Sequence, residues 1–128
     1  MKAQVSVEFM ILISILLLLF ILYTQNSLSL QKDMIILRSD QEAKELSDKI
    51  AFEINTAVNS GTGYERNFYV KKTFAGISNF NILVENYEVK ITWSQNSVIS
   101  QIVTKNTTGD VGKGWNLIEN RDGAIHVS

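Results

Sequence analysis

Three places in this chain carry residues able to do chemistry: Glu8, His126 and the triplet Asn106-Thr107-Thr108. Glu8 heads the stretch Gln4–Tyr23, QVSVEFMILISILLLLFILY, which is otherwise almost wholly apolar. A carboxylate held in hydrocarbon is costly, and such residues usually have a partner or a task. Two readings stay open from the residues alone. Glu8 lies about 6 Å along a helix from Gln4, near enough to the headgroups to stay hydrated. Alternatively it faces a new α-amino group made by a cut just before Gln4, where a carboxylate–ammonium pair is satisfied and an unpaired charge is not. His126 is the only histidine, there is no cysteine, and no nucleophile motif accompanies it, so its expected role is structural. Gly109-x-x-Gly112-x-Gly114 lacks a Lys-Ser/Thr ending and opens no helix, which predicts a flexible loop instead of a phosphate cradle. Acidic residues are scattered singly, without calcium-loop spacing. No catalytic residue, metal or cofactor is expected. Asn106 is the acceptor position of an N-x-S/T sequon in a predicted exposed loop, so N-glycosylation is its candidate modification.

Composition narrows the classes further. The formal net charge is −1, with acids and bases interspersed, which offers no basic footprint for nucleic acid and no polycationic patch for anionic lipid. Without cysteine there is neither a disulfide framework nor a thiolate metal site. Without proline nothing in the sequence forces a long helix to break.

The elements that position these residues begin with the apolar run. From Val5 to Tyr23 only Ser6, Glu8 and Ser14 are polar, and the run spans about 28 Å as a helix, close to a bilayer's hydrocarbon thickness. A secretory signal has a shorter core followed by small residues at the cut. Here the run ends Tyr23-Thr24-Gln25-Asn26-Ser27, so it is expected to stay in the mature protein. Lys2 is the only basic side chain ahead of it and predicts a cytoplasmic N-terminus with the remainder outside. Helical spacing continues through Leu30, Met34, Leu37, Leu46, Ile50, Ile54 and Ala57, with pairs such as Asp40–Lys44 and Glu45–Lys49 in favourable i,i+4 order. The spacing predicts one helix ending at Asn59–Gly63, where glycines supply a C-cap. Such a helix is about 84 Å long, so its N-terminal part is expected to project from any domain of this size.

After Gly63 the period becomes alternating. Predicted strands run through Phe68–Phe74, Phe80–Val84, Tyr87–Trp93, Val98–Thr104, Trp115–Glu119 and Ala124–Val127, with turns at Gly76–Asn79, Glu85–Tyr87, Ser94–Ser97 and Asn120–Gly123. Residues 105–114 read as loop. The expected architecture is α+β, an antiparallel meander carrying Phe68, Phe74, Ile82, Val89, Ile91, Trp93 and Leu117 on one face. Leu46, Ile50, Ile54 and Ala57 of the helix would cover that face.

Lys2-Ala3-Gln4-Val5-Ser6-Val7-Glu8-Phe9, followed by an apolar run, resembles the class III signal peptide of archaeal type IV pilin-like proteins. Gln4, Ser6 and Glu8 fill the fixed positions of its Q-x-S-x-E motif, and Lys2-Ala3 stands where the basic and small residues precede the cut. Lys2 is a single charge where many such leaders carry more. The resemblance implies a type IV pilin-like fold: leader 1–3, a transmembrane or filament-core half-helix 4–23, an amphipathic half-helix 24–60 and a β-rich head 61–128. It implies removal of Met1–Ala3 by a prepilin-peptidase-like aspartic protease, between Ala3 and Gln4. It further implies residence in membrane lipid before assembly, and extraction by an assembly ATPase and platform protein. The subunit would then enter a filament with other copies or other pilins, Glu8 and Phe9 taking part in docking. The expected function is thus a structural or minor subunit of a surface filament, its head exposed for adhesion. The alternatives are a non-polymerising anchored surface protein with a β-rich binding head, or a pseudopilin of a secretion machine.

Overall fold

The computed structural model of the chain describes residues 2–128, side chains included except those of residues 2, 3, 28 and 29. The architecture is α+β: one long N-terminal helix and two small β-sheets. Helix α1 runs Lys2–Ser60, 59 residues without interruption, as the absence of proline permits. It stops where Gly61 takes a φ of +81°, a conformation that costs glycine nothing, and the Gly61 amide turns back onto the Val58 carbonyl.

The chain divides into two units, Met1–Leu37 and Arg38–Ser128. In the first, none of the described side chains is buried. In the second, α1 buries a stripe containing Ala43, Leu46, Ser47, Ile50, Ile54 and Ala57, at the spacing of one helical face. The buried stripe therefore starts near Ser39, not at Thr24, and Leu30, Met34 and Leu37 are exposed.

The strands are β1 Glu65–Val70, β2 Asn81–Glu85, β3 Glu88–Trp93, β4 Asn96–Gln101, β5 Thr107–Thr108, β6 Gly114–Arg121 and β7 Ala124–Val127. They do not form one meander. One sheet has the order β1-β6-β7-β5 and the other β2-β3-β4. The first is mixed, because β5 lies parallel to β7, Thr107 opposite Ile125 and Thr108 opposite His126. The second is the consecutive antiparallel part, closed by the turn at Asn86-Tyr87, both at positive φ. Asp122-Gly123, also both at positive φ, closes β6 onto β7. Phe74 lies beyond β1, in a tight turn bridged to Ile77. Within the expected loop 105–114, β5 forms and β6 begins.

The core of the second unit gathers α1 with the inner faces of both sheets: Phe68 and Val70 from β1, Val89, Ile91 and Trp93 from β3, Ile118 from β6, Ile125 and Val127 from β7. Phe74 sits among these, edge-on to Trp93 and tilted against Phe80. Leu117 does not belong to this face. On β6 the inward residues are Asn116, Ile118 and Asn120, and Leu117 is only half-buried on the other side. The reason is polar work done from inside. Asn116 braces the loop by taking the Gly112 amide on Oδ1 and giving Nδ2 to the Gly112 and Gly114 carbonyls. Asn120 donates to the Ala57 carbonyl in the last turn of α1, and its Oδ1 accepts from the Gly123 amide. Buried asparagines are tolerable only when so satisfied.

Candidate functional site

The motif residues of the N-terminal segment all lie exposed on α1. Gln4 and Glu8 stand one turn apart on one side, and Ser6 faces away from them, as 100° per residue dictates. Among the described residues nothing hydrogen-bonds or ion-pairs with Glu8, and Phe9 is 60% exposed. Met1, the first residue of the leader expected to be removed, lies outside the described residues. So do the side chains of Lys2 and Ala3, at the expected cut.

From Val5 to Tyr23 the large apolar side chains are exposed. The helix is long and apolar enough to cross a membrane by length and composition, its best window reaching a mean hydropathy of 2.9 with none of it buried. A signal sequence near an N-terminus meets the same criterion. Two hydroxyls of this part of the helix turn back on its own backbone: Ser14 donates to the Met10 carbonyl and Thr24 to that of Ile21. Each of these two donors is thereby satisfied without water.

Exposed apolar surface continues past the membrane-length run. Met34 is 70% exposed, Ile35 67% and Leu37 61%, with Leu30 one turn earlier. Spacing alone had placed Leu30, Met34 and Leu37 on an amphipathic stripe. The available signal was Met34-Ile35-Ile36-Leu37 itself, since four consecutive apolar residues encircle a helix and no single face can cover them.

The second unit holds two arrangements that resemble catalytic ones. His126 Nδ1 lies 2.6 Å from Thr108 Oγ1 on the neighbouring strand, half-buried, with no carboxylate bonded to the ring among the described residues. Ser100 Oγ accepts from Lys44 Nζ at 2.9 Å and donates to Asp48 Oδ1. Lys44 also bonds the Ile99 carbonyl at 2.8 Å and Asp48 at 2.8 Å. All three of its ammonium hydrogens are committed, and Ser100 is itself buried. The arrangement is a clasp that ties α1 to β4. The Lys44 hydrogen bond, and after it that of Ser100, lowers the Asp48 pKa below the ordinary value. Glu42 is lowered likewise, first by Arg38 and then by the Ala75 amide that it caps. Lysine and arginine thus pair as Arg38–Glu42 and Lys44–Asp48, whereas the sequence had suggested Asp40–Lys44 and Glu45–Lys49. The sheets account for the change: Lys49 reaches the Tyr69 carbonyl and Lys44 the edge of β4.

Among the described residues no group of three or more metal-ligating side chains converges. A cavity of about 150 Å³ between α1 and the Lys71–Phe74 segment is well below the size of ordinary ligand sites. Asn106 is exposed, but its backbone is held, the amide bonding Thr104 Oγ1 and the carbonyl accepting from Ile125. The hydroxyl of Thr108, the third sequon residue, is engaged by His126.

No family model, curated protein sequence or solved structure matches this chain.

Proposed function

We propose that this chain is a subunit of an archaeal type IV pilus-like surface filament. It is inserted as a single-pass precursor with its N-terminus cytoplasmic, cut before Gln4, and assembled through its apolar helix. The observation that carries this reading over a plain anchor is the exposed band Met34–Leu37. It begins eleven residues after Tyr23, about 16 Å further along the helix. A bilayer that covers Val5–Tyr23 has no hydrocarbon left for it. Leaving such side chains in water is unfavourable by roughly 25 cal/mol per Å² of apolar area. Apolar on every side, the band suits several neighbouring helices and not a single partner face.

In this mechanism lipid covers the run before assembly and other copies or related pilins cover it afterwards. Transfer of residues 5–23 from lipid to a helix bundle gains little, because lipid is already apolar. Extraction therefore calls for the work of an assembly ATPase and platform protein, and Glu8 supplies register. Once a prepilin-peptidase-like protease has exposed the Gln4 amine, a Glu8 carboxylate in the bundle neutralises it on a neighbouring subunit, a pair favoured where water is scarce.

N-terminal sequencing of material from sheared surface filaments tests the proposal. A mature start at Gln4 within filaments supports it, and an uncut Met1 in a protein confined to the membrane overturns it. Glu8→Ala should insert normally and fail to enter filaments. Unchanged incorporation would remove the proposed role of Glu8.

A further inference from the structure

The sequon Asn106-Thr107-Thr108 is a motif that the filament reading leaves unused, and the fold treats its two ends in opposite ways. Asn106 is exposed, and among the described residues nothing hydrogen-bonds its side-chain amide. It stands just before β5, the last strand of its sheet, so no further strand of that sheet lies beyond it.

Thr108 is held. Its Oγ1 lies 2.6 Å from His126 Nδ1 and 3.4 Å from the Ile125 carbonyl. Where Nδ1 is bare, the hydroxyl donates to it; where Nδ1 carries the proton, the ring donates to Oγ1 and the hydroxyl turns to Ile125. Either tautomer commits the hydroxyl hydrogen. The backbone is committed as well. The Asn106 carbonyl accepts from the Ile125 amide, and Thr107 and Thr108 pair in parallel with Ile125 and His126. Gly109 then follows β7 so closely that a Cβ there would stand 1.9 Å from the Val127 carbonyl oxygen.

A sequon is read through the hydroxyl of its third residue as well as through the asparagine amide, which is why only Ser or Thr serves there. The folded unit therefore presents the acceptor and withholds the group that must accompany it. Chain order supplies a moment when both are free. β7 begins at Ala124, eighteen residues after Asn106. At a synthesis rate of about 5–20 residues per second, the sequon emerges about 1–4 s before the strand that closes on it.

We propose that Asn106 carries an N-linked oligosaccharide added while β5 is still free, and that docking of β5 on β7 closes the site to transfer. The donor is an oligosaccharide on a polyisoprenyl phosphate. A bond forms between Asn106 Nδ2 and C1 of the sugar, and the C1–O bond to the lipid phosphate breaks. The phosphate leaves with that bonding pair and the amide gives up one proton, with nothing oxidised or reduced. Occupancy is set by a race between transfer and folding, not by the exposure of Asn106. The proposal rests on the reading that places this unit outside the membrane.

The test offers the sequon in several states to a transferase preparation with its polyisoprenyl-linked oligosaccharide, chosen because it modifies a free peptide of residues 100–113. The states are the full chain folded in zwitterionic micelles, the full chain during synthesis into membranes bearing that transferase, and the folded chain with Gly109→Ala or His126→Ala. Mass spectrometry of the peptide over Asn106 reads occupancy. The nascent chain should be modified. The folded parent should be modified about tenfold or more slowly than the free peptide, because transfer then waits on local opening. His126→Ala removes the shorter of the two hydroxyl contacts and should gain part of the peptide's rate, with its thermal transition retained. Gly109→Ala also displaces β5 and should gain more. The proposal is overturned by a folded parent modified as fast as the peptide, by a nascent chain left bare, or by both variants resisting as the parent does. A bare Asn106 in material from cells overturns it too, and the arms in vitro then separate a mistaken location from a mistaken gate.

Discussion

Replacing Met34, Ile35 and Leu37 together by glutamine probes whether the exposed band is a contact between copies. Glutamine keeps the helix propensity of this segment while removing its apolar surface. Full burial of a Met, Ile or Leu side chain from water is worth about 1.5–3 kcal/mol. These three are 70%, 67% and 61% exposed, so about two-thirds of that value is still to be gained at each by covering it. The sum is about 3–6 kcal/mol per copy. The ordering of side chains on association takes back a part, leaving a loss of about two orders of magnitude in association constant when the band is made polar. The assay is sedimentation equilibrium in micelles, which shield Val5–Tyr23 in parent and variant alike, together with recovery of the variant in sheared filaments. The thermal transition of the second unit serves as the control, because none of the three side chains belongs to its core. A triple variant that self-associates and enters filaments like the parent would refute the argument and leave a membrane anchor as the better reading.

Three further outcomes follow from the second unit. Glu53 is buried on α1, its Oε2 lacks a hydrogen bond, and among the described residues its ion-pair partner is Arg66 at 3.4 Å, itself held in its charged form by Tyr64 first and Glu53 second. Arg66→Ala should cost about 1–3 kcal/mol by urea unfolding, less than a fully buried pair because Arg66 is half exposed, and Glu53→Gln in that background should restore part of it. Gly109→Ala puts a Cβ 1.9 Å from the Val127 carbonyl oxygen at a φ of +87°, so a markedly lower melting temperature is expected, and a neutral result would contradict the placement of β5 against β7. The third outcome concerns acid. Asp48 and Glu42 have folded pKa values below their ordinary ones, so their contribution to stability is complete above pH about 4–5 and is lost as pH falls through the lowered values. Urea midpoints should hold level from pH 7 to about 5 and then decline, more shallowly in Asp48→Asn. An identical slope in that variant would show that the Lys44–Asp48–Ser100 clasp does not contribute.

Local chemistry was legible in the sequence, and long-range pairing was not. The end of α1 could be read at Gly61, and the turns at Asn86-Tyr87 and Asp122-Gly123, because each depends on residues within a few positions. Alternation correctly turned Phe68, Val89, Ile91 and Trp93 inward. Alternation says which way a side chain points and nothing about which strand lies beside it. The pairing of β1 with β6 joins residues as far apart as Glu65 and Glu119, and the β5–β7 contact is two residues long, so neither left a periodic trace. Leu117 was assigned inward because it is apolar, yet Asn116 and Asn120 take the inner positions. Hydrogen bonds to Gly112, Gly114, Ala57 and Gly123 outweigh the gain from burying one leucine there.

The N-terminal segment teaches a different lesson. The Q-x-S-x-E register at Gln4, Ser6 and Glu8 could be read only as a motif, since nothing in the geometry of α1 brings those three side chains together. On the proposed reading their meaning lies outside one chain, in an enzyme that cuts or a neighbour that supplies an amine. The exposed band at Met34–Leu37 is the physical counterpart of that proposal, because with Val5–Tyr23 in a bilayer it would call for a cover of its own, and it does so without any motif. If both readings hold, an alanine at Glu8 and glutamines at 34, 35 and 37 should fail in distinguishable ways. Loss of Glu8 should leave copies that associate out of register and assemble poorly, whereas the polar band should leave copies that scarcely associate at all. Pulse-labelled membranes probed by cross-linking between helices separate the two. Identical cross-link patterns in both variants would mean that Glu8 and the band serve one contact instead of two.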